Sequence, residues 1–288
     1  MTLYMIFMLV GKICFSESIS RWSENMKTDF SSEREKKNYF NRMSVEQKIE
    51  AFADMLANSE HSVFLGGAGV STESGIPDFR SKNGLYNKTE RRFAKYQPEY
   101  LLSYRCLKRE PEVFFDYYRK NLDAREVQPN AAHYKLAEWE KSGRLEGIIT
   151  QNIDGLHQKA GSINVAEIHG TIWKNHCVSC DTEYDVDFIF DSKEPVPRCP
   201  KCGKVVRPDV TLYGELLPEK AFDLADRLIQ FADMLIIGGT SLEVGSAANF
   251  AHKFHGKYLV IINKSKTKME GKADLVFHDS IGKVLSAL

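Results

Sequence analysis

The chain has 288 residues, of which 43% are hydrophobic and 27% charged, and 39 basic side chains balance 39 acidic ones. This composition excludes a wholly disordered or collagen-like chain. The zero net charge excludes a strongly basic surface, so we expect neither nucleic acid nor a membrane as a partner. At about 150 residues per domain, the length predicts roughly two domains, or one large domain with an insertion.

The first 42 residues differ from the rest of the chain. A short apolar stretch, 3–10, precedes a charged run, 16–37, that has no sustained periodicity, and we interpret 1–42 as a poorly ordered leader. The apolar stretch is less than half of the roughly 20 residues that a membrane helix needs. It also lacks the basic start and small-residue cleavage site of a signal peptide. These features predict a cytoplasmic protein.

A helical pattern follows the leader. Ile49, Phe52 and Leu56 recur on one helical face, and Ser44 with Gln47 has the spacing of a capping box. The segment therefore predicts an amphipathic helix that opens the folded part of the chain.

Short apolar runs then alternate with helical segments, and each run ends in a small or polar cluster. The runs are SVFLG (62–66), EGIIT (146–150), VAEIH (165–169), MLIIG (234–238) and YLVIIN (258–263). Their β-branched content predicts strands buried on both faces, and the helices between most of them predict crossovers in a parallel α/β sheet. Because open α/β sheets bind ligands beyond the carboxyl ends of their strands, the five loops predict one site along that edge.

Between about 173 and 209 the alternation stops and two C-x-x-C pairs appear: Cys177, Cys180, Cys199 and Cys202. This spacing is typical of a zinc ribbon, in which two tight knuckles direct four thiolates at one ion. Four sulfur ligands leave no open coordination position, so the predicted Zn²⁺ is structural. Two alternatives to the four-cysteine zinc site stay open: a redox C-x-x-C pair, and a metal site in which His176 replaces one cysteine.

The loop LGGAGVSTESGIPDFRS (65–81) follows the first predicted strand. Gly67, Gly69 and Gly75 permit a tight turn and close backbone approach, and a helix starting there suits a pyrophosphate. Thr72 stands where the usual G-x-G-x-x-G has its third glycine, and the acidic ribose ligand expected about 20 residues later is missing. Asn263, at the end of the last predicted strand, is a candidate ribose ligand instead.

Three further residues make this loop unusual. Phe79 is placed to stack on or shield a reacting ring, and Arg80 to bind a phosphate. Asp78 lies beside them, although it is equally suited to cap its own turn, and glycine loops alone are often ordinary turns.

Taken together, these segments resemble the sirtuin family of NAD-dependent protein deacylases, in its bacterial deacetylase form. The resemblance covers about residues 45–288 and rests on motifs that occur in the family's order: GAGVSTESGIPDFRS (67–81), TQNIDGLHQKAG (150–161), EIHG (167–170), the two C-x-x-C pairs, LYGE (212–215), GTSLEVGSAANF (239–250) and IIN (261–263). It implies a Rossmann-like NAD-binding domain over 43–172 and 210–288 and a small zinc-binding domain over 173–209. A cleft between them would hold NAD and an acetylated-lysine protein or peptide.

The resemblance also implies roles for individual residues. His169 would be the general base, with Asn152 beside it as a second catalytic residue. NAD would contact Ala68, Gly69, Thr72, Asp78, Phe79, Arg80, Gln151, Ile153, Asp154, Gly239, Thr240, Ser241, Asn263 and Ser280. The substrate peptide would be framed by strand addition, with contacts from Val210, Leu212, Tyr213, Gly214, Glu215, Glu243, Val244 and Gly245.

The implied reaction consumes NAD and gives deacetylated lysine, nicotinamide and O-acetyl-ADP-ribose. An imidazole with an ordinary pKa of about 6.5 suits His169 as a base at neutral pH. Family members that remove succinyl or malonyl groups are expected to carry Tyr-x-x-Arg, where this chain has Tyr117-x-x-Lys120. Lysine lacks the bidentate fork of arginine, which favours acetyl-lysine as the substrate.

Four alternatives stay open on the sequence alone. Two lie close to deacetylation: removal of other acyl groups, and mono-ADP-ribosyl transfer. The other two belong to different classes: a hydride-transferring dehydrogenase, and a non-catalytic zinc-ribbon binding protein.

Overall fold

A computed structural model describes residues 27, 29–87, 90–243 and 245–288. Its strands are β1 (Ser62–Gly66), β2 (Gly147–Thr150), β3 (Val165–Glu167), β4 (Gly170–Cys177), β5 (Glu183–Asp185), β6 (Val206–Val210), β7 (Met234–Gly238), β8 (Tyr258–Ile262) and β9 (Leu275–Phe277). Its helices are α1 (Glu33–Asn41), α2 (Val45–Ala57), α3 (Pro98–Leu101), α4 (Tyr104–Arg109), α5 (Pro111–Asn121), α6 (Ala131–Lys141), α7 (Leu156–Lys159), α8 (Asp187–Phe190), α9 (Glu219–Phe231), α10 (Gly245–Lys253) and α11 (Ile281–Ser286), with a 3₁₀ helix at Ala68–Ser74.

The larger sheet has six parallel strands in the order β3-β2-β1-β7-β8-β9. All residues of β1, β2 and β7 are buried, which explains why these strands read as continuous apolar runs. The chain builds outward from β1 to β3 and then returns to build from β7 to β9. The topological switch point therefore lies between β1 and β7, and the predicted Rossmann-like sheet is confirmed.

Helices cover both faces of this sheet. On one face Phe64 of β1 shares a core with Phe52 of α2 and Trp139 of α6. On the other face Val63 of β1 packs with Leu228 of α9 and Phe250 of α10. Since neighbouring strand residues point to opposite faces, a single strand supplies both cores.

A second sheet forms the smaller lobe, with antiparallel strands in the order β5-β4-β6. Its core unites Ile172 of β4 and Val206 of β6 with Phe114 and Tyr118 of α5. The lobe thus includes helical residues far outside the range 173–209 that the sequence assigned to it. Aromatic side chains of α5 give the short strands the apolar cover that they cannot supply alone.

The amino-terminal region differs in part from its prediction. Most of the predicted leader, 1–26, lies outside the described residues. Ser32 caps the start of α1, and Phe40 is buried in the core beside α2, so the interpretation of 1–42 as poorly ordered is wrong for this last part. The capping box of Ser44 and Gln47 is confirmed at the start of α2. In the part of the chain described, we find no helix with the length and apolarity to cross a membrane.

Candidate active site

A cleft of about 2040 Å³ opens where β1, β2, β7 and β8 end, and the smaller lobe closes its other side. Every residue predicted as catalytic or cofactor-binding lines this cleft. The residues predicted to contact the peptide line it as well, apart from Val244, which lies outside the described residues. The strand-end loops therefore converge as the sequence predicted, although their individual roles stay predictions.

Close packing of two loops explains the glycines at the switch point. The Gly69 amide donates to the Gly239 carbonyl at 2.8 Å. A Cβ atom on Gly69 would lie 2.6 Å from the Gly239 Cα, so any side chain would force the β1 and β7 loops apart. The predicted helix after Gly67 is the short 3₁₀ helix, and it ends at Gly75, whose φ is 93°.

A buried polar cluster forms one wall of the cleft. The Ser71 hydroxyl donates to Asp154 Oδ2 at 2.7 Å and accepts from the Asn152 side-chain amide at 3.0 Å. The other Asp154 oxygen accepts from the Leu156 amide at 3.0 Å. All three polar side chains are buried, and burial raises the pKa of Asp154 against these hydrogen bonds. Paired amide and carboxyl groups are chemically complementary to a carboxamide such as that of nicotinamide.

The turn after Asp154 is fixed by its neighbours. Gly155 has a φ of 71°, and a Cβ there would lie 2.3 Å from the Trp173 indole nitrogen. That nitrogen donates to the Asp154 carbonyl at 2.8 Å. No local pattern predicts these contacts of Ser71 and Trp173, because their common partner, Asp154, is distant from both along the chain.

His169 lies just beyond β3 with both ring nitrogens engaged. Nδ1 is 3.0 Å from the Gln151 carbonyl, and Nε2 is 3.1 Å from the Ser246 hydroxyl. Because a carbonyl only accepts, chemistry assigns the ring proton to Nδ1 and leaves a lone pair on Nε2. Burial lowers the pKa of His169, partly offset by the bond to Gln151. The imidazole is therefore neutral at neutral pH and can accept a proton at Nε2.

Three predicted cofactor residues use their side chains within the protein. Asp78 accepts from the amides of Arg80 and Ser81 at 3.0 and 2.7 Å, which is the capping role left open by the sequence. Gln151 donates from Nε2 to the Thr240 hydroxyl at 2.8 Å. Asn263 donates from its side-chain amide to the Ser265 carbonyl at 2.7 Å. These contacts shape the cofactor side of the cleft.

The opposite side is braced by an ion pair. The Arg207 guanidinium binds Glu215 with two hydrogen bonds of 2.5 and 2.9 Å, and Glu215 also accepts from the Leu212 amide. Although burial acts to raise the pKa of Glu215, Arg207 and the amide hold it below its usual value. The backbone of Tyr213 is paired with Leu102 and Tyr104. Both backbone groups of Tyr213 are therefore occupied within the protein, and its contact with the peptide stays a prediction.

The four cysteines of the two C-x-x-C pairs form a separate cluster in the smaller lobe, with all their sulfur atoms within 4.8 Å of one another. Three measured S–S separations are 3.4, 3.6 and 3.6 Å. These are far longer than a disulfide and close to the edge of about 3.8 Å in a tetrahedron with Zn–S bonds of about 2.3 Å. Asp181 and Gly203, each just after the second cysteine of a pair, have φ of 51° and 73° and close the two knuckles.

This arrangement fits a structural zinc ion. His176 instead contacts Asp209, which excludes it as the replacement ligand considered from the sequence. Tyr184 donates to the Cys199 sulfur at 3.1 Å, so the cluster has an outer hydrogen bond as well.

Comparison with known proteins identifies the family. The model of the Sir2 family matches residues 67–246. The chain belongs to the Sir2 family. It is 52% identical over 242 residues to a protein named NAD-dependent protein deacetylase from Clostridium perfringens (strain 13 / Type A), with 84% of this chain and 98% of the relative covered. A protein of the same name from Clostridium acetobutylicum is 49% identical over 241 residues, with the same shares covered.

Solved structures agree with this assignment. A Sir2 variant in complex with a deacetylated p53 peptide and 3′-O-acetyl-ADP-ribose superposes with a TM-score of 0.77 at 35% identity, covering 83% of this chain and 96% of that one. The resemblance to sirtuins inferred from the sequence is confirmed. The dehydrogenase and the non-catalytic zinc-ribbon protein, both left open by the sequence, are excluded by the same matches.

Proposed function

We propose that this Sir2 protein is an NAD-dependent protein-lysine deacetylase that releases nicotinamide, O-acetyl-ADP-ribose and the free lysine. One observation carries the proposal: a neutral imidazole presents its unprotonated Nε2 inside a cleft whose wall is a buried amide and carboxyl cluster. His169 is the base, Asn152 and Asp154 recognise the carboxamide, and the backbone carbonyl of Gln151 fixes the ring.

The residues of the cleft perform distinct steps. NAD supplies, when bound, a ribose carbon that becomes electrophilic as nicotinamide leaves. His169 takes a hydroxyl proton at Nε2 while Nδ1 stays bonded to the Gln151 carbonyl. The buried Ser71–Asn152–Asp154 cluster orients one amide face and excludes water from it. Phe79, whose ring lies 5.5 Å from that of Tyr86, covers the cleft from the cofactor loop.

An acetylated-lysine protein or peptide is the proposed partner. It would enter beside Gly214 and between Tyr213 and Glu243, whose side chains contact Arg80. The backbone of Gly214, with that of Gly245, is the proposed strand edge in place of Tyr213.

The acyl preference follows from the helix α5. Tyr117 is buried in the core of the smaller lobe and does not line the cleft. Lys120 lines the cleft but is paired with Glu90. A carboxylated acyl group would thus meet neither a free cation nor the tyrosine at these positions, which supports acetyl-lysine.

The five described cysteines are free thiols, and a four-thiolate site suits a reducing compartment. We place the enzyme in the cytoplasm.

Incubation of the zinc-loaded protein with NAD and an acetyl-lysine peptide tests this function by mass spectrometry. We expect nicotinamide and O-acetyl-ADP-ribose in equal amounts and a peptide that has lost its acetyl group. His169→Ala should lower the rate by about a hundredfold or more, because it removes the general base. His61→Ala is the matched control, since His61 is exposed and precedes β1 at the opposite end of the strand. ADP-ribose attached to the protein would instead indicate transferase activity.

A further inference from the structure

The hydroxyl group of Ser246 lies where the catalytic base must work. Its oxygen is 3.1 Å from His169 Nε2, although the two residues are 77 positions apart in the chain. Ser246 is the second residue of α10, is half-buried and lines the cleft. The proposed mechanism assigns it no role.

We propose that Ser246 is a positioning residue for the base: in the free enzyme its hydroxyl donates to His169 Nε2 and fixes the ring plane until a ribose hydroxyl takes its place. This inference rests on the proposed function. The ring is then bound at both nitrogens, with a donor site on Nδ1 and an acceptor site on Nε2. Ring rotation would break both bonds, so the reactive lone pair is directed before substrate arrives.

The position of the serine strengthens this effect. Nine residues form α10, and its first turn lies against the imidazole. The amino end of a helix carries partial positive charge, which opposes protonation of a neighbouring imidazole. The helix that holds Ser246 therefore favours the neutral ring, and the hydroxyl of Ser246 fixes the orientation of that ring.

Charged groups nearby have other partners. Asp154 accepts from Ser71, Glu243 pairs with Arg80, Glu215 with Arg207, and Lys253 at the far end of α10 with Asp226. Just after β6, the Thr211 amide donates to the His169 carbonyl at 2.8 Å, which is a contact between backbone groups. Burial is the main cause of the lowered pKa of His169, and the hydrogen bond to Gln151 acts in the opposite direction. The hydroxyl of Ser246 is thus the polar side chain in direct contact with Nε2.

An NMR titration of the histidine ring protons tests the proposal without any catalytic readout. The resonance of His169 is assigned by its loss in His169→Gln. Ser246→Ala should lower the pKa of His169 by about half to one unit, because the imidazolium loses a charge-assisted hydrogen bond to the serine oxygen that is stronger than the bond lost by the neutral ring. Ser246→Thr keeps the hydroxyl and should leave the pKa near the wild-type value. An unchanged or raised pKa in Ser246→Ala would overturn the proposal.

The pH profile of deacetylation separates this inference from the proposed function. In Ser246→Ala the acid limb of kcat/KM should move down in pH by the same amount as the titration, since this limb reports the free enzyme. If the wild type deacetylates but neither the limb nor the titration moves, the role of Ser246 is refuted alone. If the titration moves as expected in a protein without deacetylase activity, the proposed function fails while the contact stands.

Discussion

Two buried histidines predict how this protein loses stability in acid. His133 on α6 and His157 on α7 are fully buried, with ring centroids 4.8 Å apart. The Asn130 amide donates to Nδ1 of His133. Nε2 of His133 and both nitrogens of His157 have no hydrogen-bond partner within the described part of the protein. Burial lowers the pKa of His133 to about 4 and that of His157 well below its usual value.

The sign follows from the two states of the chain. Unfolded histidine binds a proton near pH 6.5, whereas the folded pair stays neutral until much lower pH. Their stabilising contribution is fully present above about pH 6.5 and is lost as the pH falls towards about 4. Integrated from about pH 7 to about pH 5, a pKa lowered to about 4 corresponds to about 2 kcal/mol for His133, and the lowered pKa of His157 adds a loss of the same sign. The loss from His133 alone is a substantial part of a typical unfolding free energy of about 5–15 kcal/mol.

Urea unfolding at both pH values measures this loss, followed by circular dichroism and by the fluorescence of Trp139, which is a buried residue of α6. His157→Phe removes one titrating ring without breaking a hydrogen bond within the protein. We expect its unfolding free energy to stay within about 1 kcal/mol of wild type at about pH 7 and to fall less than that of wild type between about pH 7 and about pH 5. Comparing the two proteins at each pH cancels proton uptake by the zinc thiolates. Equal losses in both would refute the reasoning.

Two further predictions concern the metal and the nicotinamide pocket. Cys199→Ser should release zinc to a chelator and lower the thermal midpoint, whereas Cys106→Ser, at a buried thiol outside the cluster, should keep a full zinc content. An unchanged zinc content in Cys199→Ser would contradict the four-thiolate site. Asp154→Asn removes the charged acceptor of the Ser71 hydroxyl and should weaken inhibition by nicotinamide about tenfold, with peptide KM unchanged. Inhibition at the wild-type concentration would disprove the assignment of Asp154.

The parallel sheet was predictable because its strands are buried on both faces. β1 and β7 coincide with the runs predicted at 62–66 and 234–238, and β2, β3 and β8 differ from their runs by one or two residues at an end. The missed strand, β9, has three residues and no room for a pattern. The zinc cluster was predictable for a different reason. A C-x-x-C knuckle is local, so its geometry is already contained in the spacing of the residues.

The contacts that tune the site were beyond sequence reasoning. Ser71 meets Asp154 across 83 residues, and Ser246 meets His169 across 77. A serine in a glycine-rich loop or a helix start reads as a turn former or a cap, and no local pattern indicates which distant side chain it will bind. The occupied backbone of Tyr213 is of the same kind, because its partners Leu102 and Tyr104 lie more than 100 positions away in the chain.

The position of the zinc cluster explains how a metal without a reactive role supports the chemistry. β4 begins at Gly170, the residue after His169, and ends at Cys177, a span of about 23 Å along the strand. β6 pairs with β4 and leads from the second knuckle into the turn held by Arg207 and Glu215. Loss of the ion would release one end of both strands, whose other ends hold the base and the peptide edge. Zinc removal should therefore lower kcat and raise peptide KM together, although none of the four cysteines lines the cleft.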